Sequence, residues 1–184
     1  MALTPSNMIP LGTVASDFTL LDTVSNETLS LNQLVGEKAT VIMFICNHCP
    51  YVKHVNAEIV KLANDYIVKG VRFIAISSNN AATTPEDSPE KMGETAQQES
   101  YPFPYLYDET QEVAKAYDAA CTPDFYIFDA QLKLVYRGQL DDSRPSNKVP
   151  LTGSDVRLAL DNILDGKPVS PFQRPSIGCN IKWK

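Results

Sequence analysis

Apolar residues follow two alternating spacings along this chain. The run Thr40-Val41-Ile42-Met43-Phe44-Ile45 is apolar almost without a break, as a strand buried on both faces must be. Immediately after it, Val52, Val55, Ile59, Leu62 and Tyr66 recur at three- and four-residue steps, which predicts a long helix with one buried face. Lys69-Gly70 supplies its stop, because glycine accepts the left-handed conformation that often follows a helix. A second apolar run, Val71-Arg72-Phe73-Ile74-Ala75-Ile76-Ser77, completes a β-α-β unit.

The flanking segments read in the same way. Phe18 to Thr23 and Thr28 to Leu31 bracket the polar turn Val24-Ser25-Asn26-Glu27 and predict a β-hairpin. Asn79 to Asp87 is polar and reads as a loop. Ser88-Pro89 then opens a helix, with serine as cap and proline at the first helical position. Tyr105 to Tyr107 predicts a short strand and Glu109 to Tyr117 a short helix. Phe125 to Phe128 and Leu132 to Arg137 form strands joined at Asp129-Ala130-Gln131, close enough for an antiparallel pair. Thr152 is placed to cap a last helix with Val156, Ala159, Leu160, Ile163 and Leu164 inward, ending at Gly166. Lys167 to Lys184 reads as an irregular tail carrying Cys179 and Trp183. Strand–helix–strand, then helix, hairpin and helix, is the order of a thioredoxin fold. The expected architecture is therefore α/β, a central mixed sheet flanked by helices, enlarged by the N-terminal hairpin and by an insertion over 79–100. No repeat or linker divides it, so 1–184 reads as one domain with its core at about 10–165.

Composition narrows the function. With 43% hydrophobic and 21% charged residues, the chain is ordinary for a globular domain. A net charge of −6 argues against a nucleic-acid binder, which normally shows a basic face. No segment is apolar for the ~18–20 residues that a membrane span needs. The absence of Lys or Arg before Lys38 leaves no basic leader, and the expected compartment is the cytoplasm. Four cysteines are too few for a disulfide-dense secreted scaffold; two of them in a C-x-x-C spacing point to redox or metal chemistry.

That spacing is Cys46-Asn47-His48-Cys49-Pro50, where the central strand gives way to the helix. With Asn47 as cap, the amides of the first turn and the positive end of the helix dipole face the Cys46 sulfur. Both favour a thiolate, the nucleophile of disulfide exchange. Cys49, one turn on, is placed to resolve a mixed disulfide on Cys46. The alternative is half of a zinc site, for which no second ligand pair is spaced. His48 can stabilise the Cys46 thiolate by charge or hydrogen bonding, whereas His54 reads as a surface residue. Thr122-Pro123 precedes a strand; a cis bond there would present the Thr122 backbone beside the cysteines, open to a substrate segment added as a strand. Cys121 lies close to that loop and reads either as an auxiliary thiol or as a small core residue. Cys179 carries the same two readings, and Arg137 is a candidate anion-positioning group.

Three stretches together, Ala15-Ser16-Asp17-Phe18-Thr19-Leu20, Phe44-Ile45-Cys46-Asn47-His48-Cys49-Pro50 and Thr122-Pro123-Asp124-Phe125, resemble the AhpC/TSA–redoxin branch of the thioredoxin superfamily. The resemblance is strongest to bacterial proteins described as thiol–disulfide isomerases or peroxiredoxin-like thioredoxins, which share the Cys-Asn-His-Cys-Pro-Tyr-Val stretch and a similar tail. It implies a dithiol centre at Cys46 and Cys49 and a cis proline at Pro123; exchange at such a centre is expected to need no metal or organic cofactor. Two departures stand out. Thioredoxins keep a buried acid six residues before the first cysteine, where this chain has Thr40. If Cys49 takes the peroxidatic position of a peroxiredoxin, the family's threonine and proline positions hold Cys46 and Ile42.

The reading that follows is a cytoplasmic thiol–disulfide oxidoreductase with Cys46, Cys49 and His48 as catalytic residues and Thr122 and Pro123 as substrate-binding residues. Its partners would be protein or small-molecule thiols and disulfides and an external thiol reductant or oxidant. A thiol peroxidase is the first alternative. The second is a Cu(I)-binding protein, since thiolates suit that ion.

Overall fold

A computed structural model describes residues 3–184; residues 1 and 2 of the expected domain lie outside it. The fold is the expected thioredoxin fold. Strand β4 (Ala39–Phe44) is its axis, pairing in parallel with β5 (Val71–Ser77) and antiparallel with β8 (Asp124–Asp129). The full seven-stranded sheet runs β3 (Thr28–Ser30), β2 (Thr19–Asp22), β6 (Tyr105–Tyr107), β5, β4, β8, β9 (Leu134–Gly138).

Alternation along β4 sorts the core into two layers. Ala39, Val41 and Met43 pack with α2 (Pro50–Ile67), α3 (Pro89–Gln98) and α5 (Ser154–Leu164). Ile42 and Phe44 pack on the opposite face with Leu31 of α1 (Leu31–Leu34) and with Val113 and Ala114 of α4 (Glu112–Ala116). Neighbouring strands obey the same period: Phe73 and Phe125 join the first layer, Ile74 and Tyr126 the second. Each such fully buried side chain contributes roughly 1.5–3 kcal/mol. The helical spacing also holds, since Val52, Val55, Ile59, Leu62 and Tyr66 are all buried, and Gly70 has the left-handed φ of +87°.

One expectation about a cap changes here. The last helix is capped by Gly153 at φ +66°, not by Thr152, because the Asp141 carboxylate takes the N–H groups of both residues at 2.7 Å. Thr40, at the position of the thioredoxin acid, accepts the Gly36 N–H at 3.0 Å.

The larger difference is the tail, which is not irregular throughout. Ile177–Asn180 forms β10, the middle strand of a second sheet between β1 (Leu3–Pro5) and β7 (Cys121–Thr122). Gly178 makes this approach feasible: a Cβ there would lie 2.0 Å from the Thr122 carbonyl oxygen. Beneath the sheet, Asp124 accepts the hydroxyls of Ser6 at 2.7 Å and Tyr126 at 2.9 Å. Burial nevertheless raises its pKa from 3.8 to about 7.

A carboxyl group whose pKa is raised on folding keeps its proton in the native state where the unfolded chain has lost it. Its contribution to stability is complete below about pH 4 and is lost as pH rises through 7. Asp124→Asn should therefore lose less thermal stability than the native chain between about pH 5 and pH 8, as measured by unfolding followed with circular dichroism.

Candidate active site

Strand β4 ends one turn of chain before α2, and the cysteine motif fills the gap. Cys49, not Asn47, is the N-cap residue, followed by Pro50 in the first turn. Asn47 is drawn elsewhere: its N–H donates to Asp87 Oδ1 at 2.7 Å, its Nδ2 to the Glu86 carbonyl at 2.7 Å, and its Oδ1 accepts the Tyr105 hydroxyl at 3.1 Å.

Asp87 is the residue that sequence reasoning missed. It closes a 3-10 turn, Pro85–Asp87, inside the insertion, and is completely buried. A buried carboxylate is costly unless donors surround it, and here they do. Oδ1 takes the N–H groups of Asn47 and His48; Oδ2 takes His48 Nδ1 at 2.5 Å and Asn79 Nδ2 at 2.8 Å. With Nδ1 toward the carboxylate, Nε2 is the ring nitrogen left to exchange protons. The imidazole, 17% exposed, borders an open polar cleft lined also by Lys53, Glu86, Lys91 and Glu94. Nothing in hydrophobic periodicity marks Asp87; the only sequence signal was an acid held between Pro85 and Pro89.

Both sulfurs are enclosed, Cys46 at 2% exposure and Cys49 at 0%. Cys46 Sγ lies 3.3 Å from Thr122 Oγ1, and the Cys49 thiol donates to the Thr122 carbonyl at 3.3 Å. The two also hydrogen-bond each other and titrate as a pair. The Cys46 hydrogen bond, helped by those from the Cys179 thiol and the Val52 and Cys179 backbone, outweighs burial and lowers Cys49 to about 5. Cys46 moves well above the usual thiol range, because its hydrogen bond to Cys49 holds its proton, because it is buried and because the Asp87 carboxylate stands near. The expectation that the helix terminus would ionise Cys46 is thus reversed: the Val52 amide of α2 serves Cys49.

The Thr122–Pro123 bond is cis. Thr122 is 3% exposed, and its backbone is paired with Cys179 of β10. The edge beside the cysteines, expected to receive a substrate strand, is therefore taken by the chain's own tail. Cys179, 3% exposed, is pushed up to about 12 by burial and by its hydrogen bond to Cys49. Cys121 is fully enclosed, and burial followed by the Asp124 charge raises its thiol far above the usual range. Arg137 points its hydrogen bonds at the Ile9 carbonyl and Gln173 Oε1, outside the cysteine cluster. His54 is half-buried rather than superficial, 2.8 Å from Ser143 Oγ.

Cys46, His48 and Asp87 place one ligand atom each within 4.8 Å of one another. Thiolate, imidazole and carboxylate together suit zinc better than Cu(I). The imidazole and carboxylate are bonded to each other in this arrangement, so an ion would have to part them.

The AhpC/TSA family pattern matches residues 11–137. The chain belongs to the AhpC/TSA family. Cys46, Cys49 and Thr122-Pro123 fall inside that match; Cys179 falls beyond it. The structure is similar to that of an uncharacterized conserved protein from Geobacillus kaustophilus, with 62% identity, a TM-score of 0.99, and coverage of 100% of this chain and 97% of that one. A hypothetical protein from Sinorhizobium meliloti 1021 is 46% identical, with a TM-score of 0.96 over 98% of each chain. At 17% identity, the thioredoxin domain of a thiol-disulfide oxidoreductase from Bacteroides vulgatus shares the fold, with a TM-score of 0.62 over 81% of this chain and 96% of that one. No curated protein matches the chain. Family and fold together make this AhpC/TSA member a thioredoxin-like redox protein. Among the described residues, no helix is long and apolar enough to cross a membrane.

Thiolate absorbance of the reduced protein should rise with a midpoint near 5. Cys49→Ser should remove that rise and leave no thiolate signal below about pH 8, nearer the ordinary cysteine range.

Proposed function

We propose that this AhpC/TSA protein is a thiol–disulfide oxidoreductase working through Cys46 and Cys49, in the cytoplasm, on protein or small-molecule disulfides and thiols. The observation that carries the reading is the pairing of the two sulfurs, which hydrogen-bond each other and both contact Thr122 at 3.3 Å.

The cycle follows from that pairing. Cys46, the first cysteine of the motif, meets the substrate. It passes its proton along the hydrogen bond to Cys49, becomes the thiolate, and attacks one sulfur of the substrate disulfide. A Cys46–substrate bond forms, the substrate S–S bond breaks, and the departing thiolate takes a proton. His48 is the donor for that proton through Nε2, with the ring held by Asp87 at 2.5 Å. Cys49 then loses its proton and attacks Cys46 Sγ, releasing the second substrate thiol and leaving a Cys46–Cys49 disulfide. An external thiol donor restores the dithiol, and the reverse sequence oxidises a substrate dithiol. The exchange itself needs no metal or organic cofactor.

Thr122 acts here on the sulfurs rather than as a strand-pairing edge, through its hydroxyl to Cys46 and its carbonyl to Cys49. Pro123 follows it in the same buried loop. Substrates approach through the polar cleft at His48. The peroxidase alternative loses its candidate anion-positioning group, since Arg137 is engaged by Ile9 and Gln173.

Cys46→Ser should abolish disulfide reduction. Cys49→Ser should accumulate a covalent mixed disulfide on Cys46, visible as an added mass that a strong reductant removes; finding no adduct would count against the assigned roles. His48→Gln should slow release of the first thiol by about 10²-fold, the usual order for loss of a general acid, as read in single-turnover kinetics.

A further inference from the structure

A third cysteine stands against the dithiol. Cys179 pairs through its backbone with Thr122, the residue that contacts both Cys46 and Cys49. Its thiol hydrogen-bonds the Cys49 sulfur. It is 3% exposed, and it lies on the strand that fills the edge where a substrate segment would pair. Gly178, with no side chain to hold the strands apart, lets β10 reach that edge. Cys49 is thus the shared neighbour of two thiols, one from the segment between β4 and α2 and one from the tail.

We propose that Cys179 is a third redox thiol, exchanging with the Cys46–Cys49 disulfide at the Cys49 sulfur. The inference rests on the dithiol reading above. In the step, the Cys179 sulfur bonds to Cys49 Sγ, the Cys46–Cys49 bond breaks, and Cys46 leaves as a thiolate that takes the proton lost by Cys179. One disulfide is consumed and one is made, so no outside oxidant or reductant enters. Disulfide exchange runs by attack of a thiolate on one sulfur of the bond. The hydrogen bond to Cys49 that helps hold the Cys179 proton in the reduced protein is lost once Cys49 is in a disulfide. After the step the oxidising equivalent is stored between Cys49 and Cys179, away from the substrate cleft, and Cys46 is again a nucleophile. The tail behaves as a built-in substrate strand with its cysteine already in place.

Disulfide mapping of the full chain tests this. Native protein and Cys46→Ser are oxidised with glutathione disulfide, quenched in acid, alkylated and cut with trypsin. Cys46 and Cys49 lie together in the tryptic segment 39–53, and Cys179 in 158–182. The relay predicts a cross-linked pair of these segments in the native digest, beside the looped 39–53 segment of the Cys46–Cys49 form. In Cys46→Ser it predicts the cross-link as the main oxidised species, with the Cys49 and Cys179 thiols lost together and Cys121 still alkylated. If the cross-link is absent from both digests, the relay is wrong; a looped 39–53 segment in that experiment still leaves the dithiol reading standing. Absence of the loop as well would remove both.

Discussion

The geometry of the site depends on burying one carboxylate. Asp87 has no contact with water, so every hydrogen bond that it lacks from solvent must come from the protein, and it takes them from Asn47, His48 and Asn79. Breaking a buried charged pair typically costs about 3–5 kcal/mol, enough to fix the path of the chain between β4 and α2. That requirement pulls Asn47 away from the cap, hands the cap to Cys49 and places a negative charge beside Cys46. The insertion that carries Asp87 thus adds to what holds the Cys46 proton, after the hydrogen bond to Cys49 and burial.

Asn79 ties the same network to the C-terminal tail. Its Nδ2 donates to Asp87 while its Oδ1 accepts the Lys182 N–H at 2.8 Å. Nearby, Gln111 donates to the carbonyls of Ser78 and Lys182, and the Ile181 N–H reaches the Ala120 carbonyl. The tail is held by polar contacts on one side and by β1 and β7 on the other. The cysteine motif is therefore enclosed by three remote parts of the chain: the insertion, the loop at Thr122 and the last strand.

The main sheet, the long helix and the cysteine pair were legible because each leaves a local signature. Six apolar or small positions in β4 alternate between two layers, and the inward face of α2 repeats every three or four residues. What was not legible depends on partners distant in sequence. Asp87 looks like any acid in a polar loop until the chain folds it against Asn47 and His48. Ile177–Asn180 is too short to declare itself a strand, and only pairing with Leu3–Pro5 and Cys121–Thr122 makes it one. Thr152 failed as a cap for the same reason, since Asp141 took its place. The ionisation order within the motif could not be read from spacing either, because it is decided by which sulfur receives more donors.

The position of β10 has a consequence for how the protein is made. Cys49 leaves the ribosome 130 residues before Cys179, which at about 5–20 residues per second is a delay of roughly 6 to 26 seconds. During that interval the nascent chain can form β4, α2 and β5, yet the strand that covers its cysteines does not exist. The dithiol meets the cellular thiol pool before its own tail arrives, so early oxidation or capping of Cys49 would be sealed in when β10 docks. Quality control of this fold is in that sense a race between translation and thiol chemistry.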